Sequence, residues 1–384
     1  MLPKILFLLL LLCATSLVAQ DPFFTHFHNN ESTFNPALTG IRGAFSLTSK
    51  YKSQWASVSV PAFRSGIITV EESMPCSWFD WGLSAAFDQE GHGILRTNEF
   101  GGKIAGVIPW ADKKGWHNLR LGIALNTSFK RIDFSRLIFS DQLDPKLGNI
   151  FATGFEPPNS SRSLWFFNPS VGASYRWLFD EGNHKSPTLS AGVALHNAYS
   201  ILKNTATGHE ESLLGIGTKI PLRSTYYAAL EFIPWAEHKK GAFVAANVSW
   251  LHQRQGGLSY HNVGVKASYS RVAAVGIRFH FNDAPEQGSN THWMSFEMEA
   301  SARMSKHQRV DIGMALSPAI SGMRNWVGPI MEVSVAYHFG KSPSCGIANL
   351  DDDLVETGYE CLTSNFTRKR KKMYEGIWYK MHNR

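Results

Sequence analysis

Phe45-Ser-Leu-Thr-Ser-Lys-Tyr-Lys-Ser-Gln-Trp55 alternates. Phe45, Leu47, Tyr51 and Trp55 fall on one face of an extended chain; Ser46, Thr48, Lys50, Lys52 and Gln54 fall on the other. Successive side chains of a strand point to opposite faces, so this segment needs one apolar and one polar environment. The pattern recurs along the chain. Trp81, Leu83, Ala85 and Phe87 form one such row; Leu119, Leu121, Ile123 and Leu125 form another. Further rows are Val171, Ala173, Tyr175 and Trp177; Leu189 to Leu195; Val263 to Tyr269; Val275 to Phe281; and Met331 to Phe339, each at every second residue. Opposite them stand small, polar or charged residues such as Gly82, Arg120, Gly172, Arg278 and Glu332. Turn signals separate the rows, among them Glu90-Gly-His-Gly93, Asp180-Glu-Gly-Asn183, Gln255-Gly-Gly257 and Asn282-Asp-Ala-Pro285.

The N-terminus fixes the compartment in which these strands fold. Lys4, the apolar run from Ile5 to Leu12 and Leu17-Val-Ala19 before Gln20 have the form of a secretory signal, so residues 1–19 are expected to be removed. That run is too short for a helix to cross about 30 Å of hydrocarbon as a membrane anchor. Cys13 would permit a lipoprotein signal, but Leu12 stands where such a signal carries a small residue. No later segment holds the ~18 uninterrupted apolar residues of a transmembrane helix.

An exported chain of alternating segments is either a soluble array of β-sandwiches or a membrane barrel. The long segments, their aromatic ends and the absence of compact strand spacing favour the barrel. The predicted fold is all-β, a transmembrane antiparallel β-barrel of about 14 strands, with 16 allowed because bacterial barrels favour even numbers. It spans residues 44–340. Residues 20–43 precede it, rich in Phe23, Phe24, Phe27 and Phe34 and broken by Pro22 and Pro36. This stretch is too apolar for a solvated tail and is expected to pack against or inside the barrel as a periplasmic or plug segment. Small lumen-facing residues point to a filled or narrow interior. Even strand number puts both termini in the periplasm, with Pro75-Cys-Ser77 in a periplasmic turn and the longest loop, about Ile132 to Arg162, outside the cell.

Composition agrees. Aromatic residues make up 12% of the chain, with 12 Trp and 25 Phe, enough for two interfacial girdles. Charged residues are 18%, below the roughly 25% of soluble domains. The net charge of +7 is spread over dispersed residues of an exported chain, which argues against nucleic acid. Signal removal leaves Cys76, Cys345 and Cys361, an odd number on the oxidising periplasmic side. One disulfide, Cys345 with Cys361, or three free thiols both fit.

Chemistry is sparse. The chain has no Gly-x-Ser-x-Gly elbow, His-Glu-x-x-His pair or phosphate loop. His26 and His28 have no third ligand in view. No catalytic, cofactor or metal site is expected, and the chain reads as a non-enzyme. Arg42 and Lys50 are expected to pair with lumen acids such as Asp80, Asp88 or Glu332, since buried charges need partners.

Three motifs carry a resemblance. Gln20-Asp-Pro-x-Phe24, then Phe34-Asn35-Pro36-Ala37-x-Thr-Gly40-x-Arg42-Gly43, then Tyr51-x-x-Gln54-Trp55 resemble the start of the PorP/SprF family; Tyr337-His-Phe-Gly340 followed by Cys345 resembles its end. The resemblance covers about residues 20–346. It implies an outer-membrane barrel of the Bacteroidetes type IX secretion and gliding-motility systems, embedded in outer-membrane lipids and related to long-chain fatty-acid transporters. It implies contact with periplasmic ring lipoproteins of the PorK and PorN, or GldK and GldN, type, and in some members pairing with a secreted adhesin that bears a type IX C-terminal signal. The expected role is to anchor those ring proteins or a cognate secreted protein; the alternative is a diffusion channel for small solutes.

The chain departs from this family pattern after Cys345. Residues 341–384 form a periplasmic extension with a basic run, Arg368-Lys369-Arg370-Lys371-Lys372, ahead of Tyr374, Ile377, Trp378 and Met381 on one helical face. One reading is a docking helix for an acidic partner or a phospholipid surface; the other is a solvated tail.

Overall fold

The computed structural model describes residues 24–26, 30–42, 45–55, 63–74, 77–90, 94–112, 115–156, 163–179, 186–198, 220–237, 242–270, 272–283, 292–305, 308–320, 328–339 and 342–344. The signal sequence expected at residues 1–19 lies outside them. Fourteen antiparallel strands close into a barrel. They are β1 Phe45–Gln54, β2 Phe63–Ser73, β3 Phe79–Glu90, β4 Leu95–Asp112, β5 Gly115–Ile132, β6 Ser163–Leu178, β7 Thr188–His196, β8 Arg223–Glu237, β9 Ala242–Gln255, β10 Leu258–Tyr269, β11 Ala273–Asp283, β12 Trp293–Ser305, β13 Gln308–Ser317 and β14 Ile330–Phe339. Each pairs with its neighbours in sequence, and β14 pairs back onto β1. Closure leaves no sheet edge unpaired, and 14 is the strand number the periodicity predicts.

The alternation sorts as expected. Leu47, Leu83, Leu121, Ile123, Val171, Val265, Ile277 and Met331 project outward and are exposed. Their strand neighbours Thr48, Arg120, Ser170, Arg278 and Glu332 turn inward and are buried. A soluble protein would not display such a wall. Aromatic groups collect at both rims. At one, Trp110, His117, Tyr175, Trp177 and Phe179 form a stacked run, with Trp177 and Phe179 centroids 4.0 Å apart. At the other stand Phe129 with Trp165, 4.8 Å apart, and Tyr226, Trp250, His252 and His261. At the seam Phe45 faces Phe339 across the β1–β14 ladder, ring centroids 5.4 Å apart.

An even strand number puts the start of β1 and the end of β14 at one end, here the terminal end. The two longest connections, 133–162 and 197–222, lie at the opposite loop end. β8 carries Pro234, which lacks an N–H for the ladder; the register shifts there, between Phe232 and Trp235, as Pro in a sheet requires.

Candidate functional site

The lumen is occupied by the chain's own N-terminal segment. Residues 30–42 run through the barrel as two short 3-10 turns, Glu31–Thr33 and Pro36–Leu38. Asn35 caps the second turn: its Oδ1 accepts from Ala37 N at 2.9 Å, the local bond that makes Asn a turn residue. Pro36 then supplies a fixed φ and no N–H to satisfy. The Asn35 amide meanwhile donates to the wall, to Ala173 O at 3.0 Å and Val193 O at 3.3 Å.

The wall is carved to receive this turn. A Cβ on Gly122 would lie 2.2 Å from Ala37 N, one on Gly172 2.1 Å from Asn35 Oδ1, and one on Gly192 2.9 Å from Asn35 Nδ2. Gly122 and Gly172 face each other across β5–β6. These glycines read in the sequence as signs of a narrow lumen. They are the seat of the plug, Gly122 against its backbone and Gly172 and Gly192 against the Asn35 side chain.

Apolar side chains of the plug bury against the few large hydrophobics that point inward. Phe34, Leu38 and Ile41 cluster with Tyr227 and Leu251. The Phe34 and Tyr227 rings meet edge to face at 5.4 Å. Burying such side chains contributes about 1.5–3 kcal/mol each. Tyr227 and Leu251 stand on the face that alternation reserves for polar residues, so their inward position marks plug contacts.

Charged residues hold the plug's backbone. Arg120 Nε donates to Ala37 O at 2.8 Å, its Nη2 donates to Thr39 O, and Nη2 also meets Asp80 Oδ2 at 2.7 Å. Both ionic groups are fully buried. Gly40 N donates to Glu71 Oε2 at 3.1 Å. Gly40 takes φ +73°, and a Cβ there would lie 2.7 Å from Asp80 Cβ, so both conformation and space require glycine. Farther along, Glu332 accepts from Thr25 N at 2.7 Å, Thr25 Oγ1 at 2.6 Å and His26 N at 2.9 Å. His26 Nε2 lies 2.8 Å from Glu299, which also takes Lys266 at 2.9 Å.

The expected charge pairs are rearranged in part, with Lys50 still in the electrostatic field of Glu332. Arg42 is held by Glu31 of the plug itself, at 2.8 and 3.1 Å, while Asp80 goes to Arg120. Lys50 donates to His26 O. Asp88 accepts from Ser65. Partner choice follows from how close the plug comes, which strand alternation does not encode.

The family-motif residues therefore divide. Asn35, Pro36, Ala37, Gly40 and Arg42 come together in the plug. Gln54 and Trp55 end β1 at the loop end, where Trp55 has φ 61° and packs edge to face on Phe63 at 5.6 Å. Gly43, Cys345, Cys361 and the docking residues Arg368, Lys369, Arg370, Lys371, Lys372, Tyr374, Ile377, Trp378 and Met381 lie outside the described residues. Cys76 and His28 do too. Among the described residues no cluster of three or more His, Cys, Asp or Glu could hold a metal.

A second tether lies at the rim of the terminal end. Glu72, buried on β2, accepts from Ser342 Oγ at 2.6 Å, Ser344 N at 2.7 Å, Ser344 Oγ at 2.8 Å and Trp81 Nε1 at 2.8 Å. The segment following β14 is thus bound beside the plug's exit. Sequence reading singled out none of Glu72, Glu31 or His196. His196 carries the signal of a large polar residue on an inward row, whereas Glu31 lies in the plug and Glu72 falls on the outward row of β2, in register with Phe45 and Trp81, so alternation points to neither.

Toward the loop end the plug leaves a cavity of about 260 Å³. Ser32, Thr33, Phe34 and Pro36 form its floor, and its walls climb to Glu90, Leu95 and Lys130.

A family model described as type IX secretion system membrane protein PorP/SprF matches residues 16–337. No curated protein sequence matches. Among solved structures, the CymD monoaromatic hydrocarbon channel is similar at 11% identity over 82% of this chain and 93% of that one, with a TM-score of 0.39. A Pseudomonas aeruginosa FadL homologue is similar at 11% identity over 82% and 95%, TM-score 0.37. An outer-membrane channel from Pseudomonas putida F1 is similar at 10% identity over 77% and 95%, TM-score 0.37.

Proposed function

This chain belongs to the PorP/SprF family of type IX secretion system membrane proteins, and from that premise we propose that it acts as a non-enzymatic anchor rather than a conduit. It sits in the outer membrane with the terminal end in the periplasm and holds ring lipoproteins of the secretion machine or a cognate secreted protein. One observation carries this reading: the lumen is occupied by a segment fastened at both flanks, by Arg120 and Glu71 on one side and Glu332 on the other. A conduit would need those charge-assisted hydrogen bonds undone in each open state, at about 1.5–3 kcal/mol for each one left unmade. Loop lengths support the periplasmic placement, since periplasmic turns of such barrels are short and outer loops long.

The Glu72 tether supports a periplasmic start for the extension that follows. It brings residues 342–344 to the terminal mouth, from which residues 346–384 can reach a partner with their basic run and aromatic face.

Affinity purification from detergent-solubilised outer membrane, with and without residues 346–384, tests the proposal. Ring lipoproteins recovered only with the extension identify a machine anchor. One large secreted protein recovered regardless identifies a substrate anchor. Recovery of neither, with conductance in planar bilayers, overturns the proposal in favour of a channel.

A further inference from the structure

The lumen shows how it recognises a polypeptide. It grips the plug mostly by main-chain atoms: Arg120 reads the carbonyl of Ala37, Lys50 that of His26, and His196, through Nε2 at 2.9 Å, that of Phe34. Glu332 and Glu71 accept the amides of Thr25, His26 and Gly40. These side chains come from five different strands, so recognition needs no β-ladder. These bonds use groups that every residue carries, alongside the side-chain contacts of Phe34 and Asn35.

The cavity above the plug continues this surface. Its floor is the plug's own Ser32 to Phe34. Its walls carry the same kinds of group, acids (Asp88, Glu99), ammonium groups (Lys103, Lys130) and amides (Asn126, Asn168). Glu99 is steadied by Asn126 Nδ2 at 3.0 Å and Ser128 Oγ at 2.9 Å. Phe34 and Phe166 add aromatic faces. A hydrocarbon would strip water from carboxylates and ammonium groups with nothing to replace it. A ligand of one charge would meet both signs. A peptide backbone, neutral and bearing a donor and an acceptor at each residue, matches such walls.

We propose that this cavity takes a short extended stretch of another polypeptide, entering from the loop end and held through its backbone above the plug. The proposal rests on the anchoring reading and names where a secreted partner would be seated.

The test places the photo-crosslinking residue p-benzoylphenylalanine at Phe166 in the cavity, with Phe279 on the outer wall as control, in the full chain in its own outer membrane. Adducts are mapped by mass spectrometry. The expected result is a set of Phe166 adducts along one contiguous stretch of a secreted protein that also copurifies. Filling the cavity with Ala86→Trp, or with Ser84→Trp should the first variant fail to assemble, is expected to lower both adducts and copurification about tenfold, the loss that corresponds to about 1.4 kcal/mol of contacts. Adducts to lipid, to a small molecule or to this chain alone overturn the proposal, as does the absence of adducts. If the partner copurifies undiminished with the filled cavity, the cavity assignment falls while the anchoring reading stands. If the wild-type protein recovers no partner, both fall.

Discussion

Gly172 and Asn35 touch: a single carbon added to Gly172 would lie 2.1 Å from the Asn35 side-chain oxygen, closer than any van der Waals contact. One residue belongs to a membrane strand, the other to a turn 137 positions earlier in the chain. Their contact makes the barrel and its plug one unit.

Gly172→Val should therefore expel the Asn35–Pro36 turn and leave the barrel intact, because the outer row of β6 is unchanged. Overpacking of this kind costs about 1–3 kcal/mol. We expect higher single-channel conductance and new protease cleavage between residues 24 and 42, with unaltered heat-modifiable migration on gels. A variant that stays closed and protected would show that the glycine seat does not govern plugging.

Arg120→Ala and Asp80→Ala each strand a buried charge and should each destabilise the plugged state by about 3–5 kcal/mol. The double variant should lose less than the two losses added together, since neither charge is then left alone. Urea midpoints of the four proteins in detergent measure the coupling, and strict additivity would mean the pair does not interact.

Glu72→Ala removes the acceptor of Ser342 and Ser344. We expect the C-terminal extension to be cut by trypsin several-fold faster in right-side-out membranes made permeable to the protease. Barrel stability should shift little, because Glu72 sits at the terminal rim. Equal cleavage of mutant and wild type would argue against a tether.

Asp141 organises the long loop at the loop end, accepting from Gly154 N at 2.7 Å and Thr153 Oγ1 at 2.9 Å. The bond from the Gly154 amide, then that from Thr153, hold its carboxyl below the usual aspartate range. A lowered folded-state pKa stabilises the loop above the ordinary value of about 4, and the contribution disappears as pH falls through the lowered value. The Gly154 amide should therefore be protected from hydrogen exchange from neutral to mildly acid pH and lose protection only in stronger acid. Asp141→Asn should reduce that protection at neutral pH. A Gly154 amide that exchanges alike in both proteins would rule the interaction out.

The strand row that begins at Phe45 was legible because lipid and lumen impose opposite demands on alternate residues over ten or more positions. From that alternation follow the barrel, its strand number and the outward placement of Leu121, Ile277 or Val333. The stretch around Pro36 was legible as a break in regular structure, because Pro fixes its own φ and lacks an N–H. The partners of Arg42 and Arg120 were not legible. Alternation says that a side chain points inward; it does not say which inward groups meet, because that depends on barrel curvature and on where the plug rests against β5, β6 and β7. Tertiary structure alone decided that Gly122, Gly172 and Gly192 form a seat, that Asp80 goes to Arg120 instead of Arg42, and that a cavity is left above Phe34. The physical reason is range: alternation is set by each residue's nearest solvent, whereas these contacts join residues scores of positions apart.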